Sequence, residues 1–153
     1  MTVAVASDHA GFPLKASVLN AARELGHEPL DLGTHSTDPV DYPDYAEKAA
    51  YAITEKRADR AILLCGSGAG ICVAANKFRG IRAATCHDTY SAHQVVEDDS
   101  VNTLCLGARI VGPSLALELV RTFLQAQFSG AERHVRRLHK VMNIELQNQG
   151  TSK

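Results

Sequence analysis

The 153-residue chain has no CxxC pair, no apolar run approaching membrane length and almost no net charge. Each absence removes a class of protein. The four cysteines, at 65, 72, 86 and 105, stand singly in or beside apolar runs, so neither a disulfide framework nor a zinc site is expected, and a reduced, cytoplasmic setting follows. A membrane helix needs about 20 apolar residues. The N-terminal TVAVA is also too short for a signal-peptide core, so no membrane partner is expected. A net charge of −1 argues against a broad nucleic-acid surface. The local exception is RHVRRLHK at 133–140, four permanent cations and two histidines in eight positions, a pattern also common on solvated helix faces. No linker, repeat or low-complexity tract interrupts the chain. Its length and 45% hydrophobic content suit one domain, of a size that buries roughly 68–70% of its unfolded surface.

Short apolar runs alternate with longer helical patterns. TVAVAS, HEPLDL, RAILLC, GIRAAT and NTLCLG read as buried strands, with helices near 13–25, 44–56, 70–78, 89–97 and 113–128 and a last one over 131–147. Continuous rather than alternating apolar strands imply a parallel sheet covered on both faces. The expected fold is therefore α/β: a single Rossmann-like three-layer α/β/α domain over 1–147, with a five-stranded parallel sheet and a C-terminal helix. Residues 148–153 are expected to fray. Ligands of such folds bind beyond the carboxyl ends of the strands, which selects SDHAG, DLGTHSTDPVDYPDY, CGSGAG, CHDTY and GAR.

The glycine-rich loop at 66–70 is not a P-loop, because Ile71 and Cys72 stand where Lys and Ser/Thr would be required, and it follows the wrong strand for a dinucleotide fingerprint. It offers backbone N–H groups leading into a helix, a nest for one localised negative charge, although a plain structural turn would look the same. Cys65 at the strand end favours the first reading, since a helix N-terminus favours a thiolate usable as base or nucleophile. Ser67 could hydrogen-bond that sulfur or share its proton. Cys72, Cys86 and Cys105 read as core packing. Asp8 and His9 stand at the mouth of the first strand. Arg133 and Arg137, spaced i and i+4, share a helix face and can grip a phosphate together, with His134 joining them or solvated.

In order and spacing, SDHAG, DYPDYA, CGSGAGICVAANK, GIRAA, LGAR and RHVRR resemble ribose-5-phosphate isomerase type B and its galactose-6-phosphate isomerase relatives, over almost the whole chain. The resemblance implies an aldose–ketose isomerase that works through an enediolate without metal or organic cofactor. It implies a homodimer, or dimers paired into a tetramer, with sites drawing on both subunits. Cys65 matches the catalytic base. Some relatives place a Glu at the position of Ile71 instead. Gly66, Ser67, Gly68, Ala69 and Gly70 match the anion hole; Asp8, His9, Asp99, Arg109, Arg133 and Arg137 match substrate contacts, and Tyr42 and His134 are their neighbours. One position departs. Asp98 stands where the family usually has the histidine credited with opening the furanose ring, and an ordinary carboxylate donates a proton poorly near neutral pH. Asp98 could itself act as the acid, His9 or His87 could replace it, or the enzyme could use open-chain sugar. The substrate would then be ribose 5-phosphate, a tetrose 4-phosphate that cannot cyclise in this way, or a hexose 6-phosphate. A non-catalytic sugar-phosphate binder is the rival class.

Overall fold

The computed structural model describes residues 1–149. Its elements run β1 (Thr2–Ser7), α1 (Phe12–Glu24), β2 (Glu28–Asp31), α2 (Tyr42–Thr54), β3 (Arg60–Cys65), α3 (Ala69–Ala75), β4 (Ala83–Thr85), α4 (Thr89–Asp99), β5 (Thr103–Gly107), α5 (Pro113–Gln125) and α6 (Glu132–Gln149). The five strands form one parallel sheet in the order β2-β1-β3-β5-β4, the α/β architecture expected from the sequence. Side chains alternate between its faces. Val3, Val5, Ile62, Leu64, Leu104 and Leu106 pack with α1, α4 and α5. Ala4, Ala6, Ala61, Leu63, Cys65 and Cys105 pack with α2 and α3. On that second face Ala46, Ala49 and Ala50 of α2 are buried against the small strand residues, so helix and sheet approach closely.

The element ends show local chemistry that hydrophobic pattern does not encode. Helix α2 begins at Tyr42 rather than 44, with Pro43 in its first turn, where a missing N–H costs nothing. Helix α5 ends at Gln125 rather than 128 because Ala126 is extended. The Arg60 guanidinium donates to the carbonyls of Phe123 at 2.5 Å and Ala126 at 2.8 Å, satisfying orphan acceptors at the helix end. Strand β4 is only Ala83–Thr85, shorter than the expected GIRAAT: Gly80 has φ +82, and the Arg82 N–H donates to the Asn102 side chain rather than to a strand. Helix α6 continues to Gln149, past the expected start of fraying at 148; the remainder of that tail lies outside the described residues. No helix among the described residues is long and apolar enough to cross a membrane.

One buried charge fixes the loop that follows β2. Lys15, 3% exposed, donates to Asp31 Oδ1 at 2.7 Å and to the Thr34 carbonyl at 2.5 Å, while Asp31 Oδ1 also accepts the Gly33 N–H at 2.9 Å. Burial opposes ionisation of Asp31, but the Lys15 and Gly33 hydrogen bonds outweigh it and hold its pKa below the ordinary value. Replacing Asp31 by Ala strands a buried ammonium and should destabilise the fold by about 3 kcal/mol, more than Lys15→Met, in urea titrations near neutral pH. A depressed carboxyl pKa stabilises above the unfolded value and loses its effect as pH falls through the folded value. The gap between wild type and Asp31→Ala should therefore narrow from about pH 7 to about pH 2; a constant gap would contradict this account.

Candidate active site at the strand ends

Strands β1, β3 and β5 lie side by side, with Ser7 opposite Leu64 and Cys65 opposite Gly107. The loops that leave them therefore emerge together. Chain order reverses here, since β2 flanks β1 on one side and β3 on the other, and ligands of open α/β sheets bind at such a switch point. A cleft of about 410 Å³ opens above it, lined by Asp8, His9, Tyr42, Cys65, Ser67 and Arg109 and floored by Gly66 and Gly70.

Cys65 is 4% exposed, and its Sγ accepts the Gly68 N–H at 3.1 Å. That bend requires glycine: Gly68 has φ +80, and it caps α3, a conformation L side chains rarely adopt. The neighbouring strand end requires glycine for space. A Cβ on Gly107 would lie 2.5 Å from the carbonyl oxygen of Ser67. The Ser67 hydroxyl does not reach the sulfur, as the sequence had allowed; it accepts the Ala69 N–H at 3.2 Å and is exposed, leaving its O–H free to donate. The loop is thus a smaller nest than 66–70 suggested. Gly68 and Ala69 spend their N–H groups internally, whereas those of Gly66 and Ser67 have no acceptor among the described residues.

The surrounding polar groups are set by backbone contacts. Asp8 is 6% exposed and its Oδ1 accepts the Gly11 N–H at 2.8 Å, which fixes the carboxylate at the start of α1. His9 Nδ1 lies 3.2 Å from both the N–H and the carbonyl of Val40. Accepting from that N–H leaves the ring proton on Nε2, the nitrogen not held by Val40. Arg109 donates its N–H to the Gly66 carbonyl at 3.0 Å. Its guanidinium lies over Gly66, with Nη1 3.5 Å from where a Cβ would be, and has no anionic partner among the described residues.

The remaining candidates are not in this cleft. Near the junction of α4 and α6, Arg133 Nε donates to His134 Nε2 at 3.0 Å. The other ring nitrogen, Nδ1, faces Ser129 Oγ at 2.7 Å and Asp98 Oδ1 at 3.3 Å. Gln94 donates to the other Asp98 oxygen at 3.1 Å. His134, 4% exposed, is therefore the buried hinge of this group, not a solvated member of the basic run. Arg137 is exposed one turn further along α6. Asp99 lines a separate groove of about 480 Å³ beneath α6 with Arg82, Leu138, Met142 and Glu145. That groove is the larger of the two, but its ends are internally satisfied: Glu145 accepts the Gly80 N–H and Arg82 donates to Ser100. Among the described residues no three His, Cys, Asp or Glu side chains converge as a metal site.

Sequence reasoning passed over one thiol. Cys72, half-buried on α3, has its pKa pushed down to about 6: the Cys105 thiol donates to it, burial opposes this, and the Thr85 hydroxyl and N–H add to the lowering. Burial pushes Cys86 up to about 11. Nothing in the local sequence marks Cys72, because its partners come from β4 and β5.

A family model described as Ribose/Galactose Isomerase matches residues 3–141. Ribose-5-phosphate isomerase B of Escherichia coli K12 is 42% identical over 143 residues, 94% of this chain and 95% of that protein. A D-erythrulose-4-phosphate isomerase of Pectobacterium atrosepticum is 40% identical over 134 residues, 85% and 86% of the two chains. Among solved structures, ribose-5-phosphate isomerase B of Clostridium thermocellum superposes with a TM-score of 0.93 at 44% identity, covering 96% of this chain and 99% of the other. Sequence, fold and the grouping of Cys65, His9 and Arg109 at one switch point thus agree, and the chain belongs to the ribose/galactose isomerase family.

Proposed function

We propose that this sugar-phosphate isomerase interconverts ribose 5-phosphate and ribulose 5-phosphate with Cys65 as the base. The observation that carries the reading is the Cys65 sulfur at the cleft, accepting the Gly68 N–H beside two uncommitted N–H groups. The thiolate removes the proton on the carbon next to the carbonyl and returns it to the adjacent carbon. Negative charge develops on the enediolate oxygen between those events. The N–H groups of Gly66 and Ser67 are its donors, and the Ser67 hydroxyl and His9 Nε2–H serve the neighbouring substrate oxygens. Such donors are worth about 3–4 kcal/mol where charge develops. Asp8 orients a sugar hydroxyl, and Tyr42 closes the side of the cleft. The relatives named as ribose-5-phosphate isomerases B support this substrate.

Arg109 supplies one cation in the same chain, but Arg133 and Arg137 stand on α6, away from this cleft. A homodimer, in which α6 and Asp99 of one chain complete the site of the other, accounts for that division. Val141, Met142, Ile144 and Leu146 of α6 are exposed apolar side chains suited to such an interface.

A second reading rests on Asp98. One of its oxygens accepts a hydrogen bond from Gln94 and the other lies 3.3 Å from His134 Nδ1, so the carboxylate is engaged within its own chain and does not face the cleft. A tetrose 4-phosphate needs no furanose opening, and one relative is named for D-erythrulose 4-phosphate.

Three measurements test these roles. Cys65→Ala should lower turnover by at least about 10²-fold while ligand still binds; solvent-deuterium incorporation into ribose 5-phosphate at the wild-type rate would remove Cys65 from the mechanism. Absence of any aldose–ketose interconversion by NMR in the wild-type protein with every sugar phosphate offered would favour a binder. Arg133→Ala and Arg137→Ala should each weaken phosphorylated ligands by about 1.5–3 kcal/mol; unaltered competition by inorganic phosphate would refute the grip. Finally, Asp98→His should raise the ratio of kcat/KM for ribose 5-phosphate over erythrose 4-phosphate by at least about tenfold. The ratio cancels any change in phosphate binding, and an unchanged ratio shows that the ring is already opened by another group.

A further inference from the structure

The basic helix carries one side chain that is turned away from solvent. His134 is 4% exposed, whereas Arg133, Arg136 and Arg137 around it on α6 are exposed. The loop before the helix explains the difference. Gly130, with φ +64, turns the chain back, and the Ser129 N–H donates to the Glu97 carbonyl at 3.0 Å, which pins the loop to α4. Ser129 Oγ accepts the Ala131 N–H at 3.3 Å and lies 2.7 Å from His134 Nδ1. Asp98, on α4, brings Oδ1 to 3.3 Å from the same nitrogen, while Gln94 donates to its other oxygen at 3.1 Å. One edge of the imidazole is thus held by a loop and a helix together. The opposite edge faces Arg133, whose Nε donates to Nε2 at 3.0 Å.

A guanidinium meets an anion either through its Nε side or through the fork of its two terminal nitrogens. In Arg133 the bond to His134 occupies the first, and the terminal nitrogens have no partner among the described residues. An exposed arginine left to itself samples many rotamers, and ordering it on binding subtracts from affinity. We propose that His134 is a positioning residue for the phosphate grip: it fixes the Nε of Arg133 so that the terminal fork is presented, already ordered, to the phosphate monoester of the substrate. Asp98 and Ser129 act one step further back, by holding the ring. His134 itself touches no substrate. The inference rests on the reading that Arg133 binds the phosphate, and it gives the Asp98 carboxylate a task that requires no proton transfer to sugar.

Inorganic phosphate, which has no sugar ring to open, is the probe, and its inhibition constant is measured against turnover of ribose 5-phosphate or erythrose 4-phosphate. Arg133→Ala sets the scale and should raise that constant by more than about tenfold. The amide oxygen of a glutamine reaches where Nε2 stands, and that of an asparagine only where Nδ1 stands. His134→Gln should therefore stay near the wild-type value, while His134→Asn should raise it by roughly three- to tenfold, the effect of leaving one long side chain to be ordered on binding. Added to Arg133→Ala, His134→Asn should raise it no further, because the histidine acts only through that arginine. The double variant Asp98→Ala/Ser129→Ala keeps the buried ring but frees Nδ1; it should reproduce the His134→Asn rise, and it decides the matter if the asparagine variant folds poorly. Equal losses in His134→Gln and His134→Asn, or a further loss in the Arg133→Ala background, overturn the proposal, as does an unchanged constant in both His134→Asn and the double variant. An unchanged constant in Arg133→Ala overturns instead the phosphate reading beneath it.

Discussion

The cleft depends on the close approach of the β5 end to the loop after β3. With no side chain at Gly107, the Ser67 backbone can sit directly against it. The Ala108 and Arg109 N–H groups then donate to the carbonyls of Cys65 at 2.8 Å and Gly66 at 3.0 Å. These two bonds fasten the thiol, the exposed hydroxyl and the guanidinium to one another before any substrate arrives. The scaffold beneath them is a stack of parallel pairings buried on both faces, so the reactive groups inherit the rigidity of the sheet although they stand on loops.

Much of this was legible because apolar runs have sharp ends. TVAVAS and RAILLC coincide with β1 and β3, since their ends are set by the pattern itself. GIRAAT overran β4 because an edge strand needs only one neighbour, and the side chains that end it, Asn102 among them, come from elsewhere in the chain. Of the residues selected by the strand-end rule, Asp8, His9, Cys65 and Arg109 line the cleft. It could not show that Ser67 turns toward Ala69 or that Cys72 packs against the cluster that contains Cys105. Such details depend on a rotamer and on a pairing between strands separated in sequence. The i,i+4 spacing put Arg133 and Arg137 on one helix, but spacing carries no information about which cleft that helix serves.

Asp98 shows how one side chain directs the work of its neighbours. A histidine there could gain and lose a proton near neutrality. The aspartate instead completes a line from Gln94 through His134 to Arg133, ending in a guanidinium whose Nε is committed to the imidazole and whose terminal nitrogens stay available. The carboxylate thereby orients a cation on another helix. Lys15 and Asp31 do comparable work under the opposite rim of the sheet, where a buried charge holds the loop after β2.

The basic helix borders the molecule without entering its own chain's cleft. In the proposed homodimer this separation would tie chemistry to mass action. Dilution below the dissociation constant would separate base from phosphate grip in folded, fully intact chains, so specific activity would fall with enzyme concentration and recover on concentration. Sugar phosphate bridging the two chains would in turn hold them together, making the substrate an assembly factor for the catalyst that consumes it.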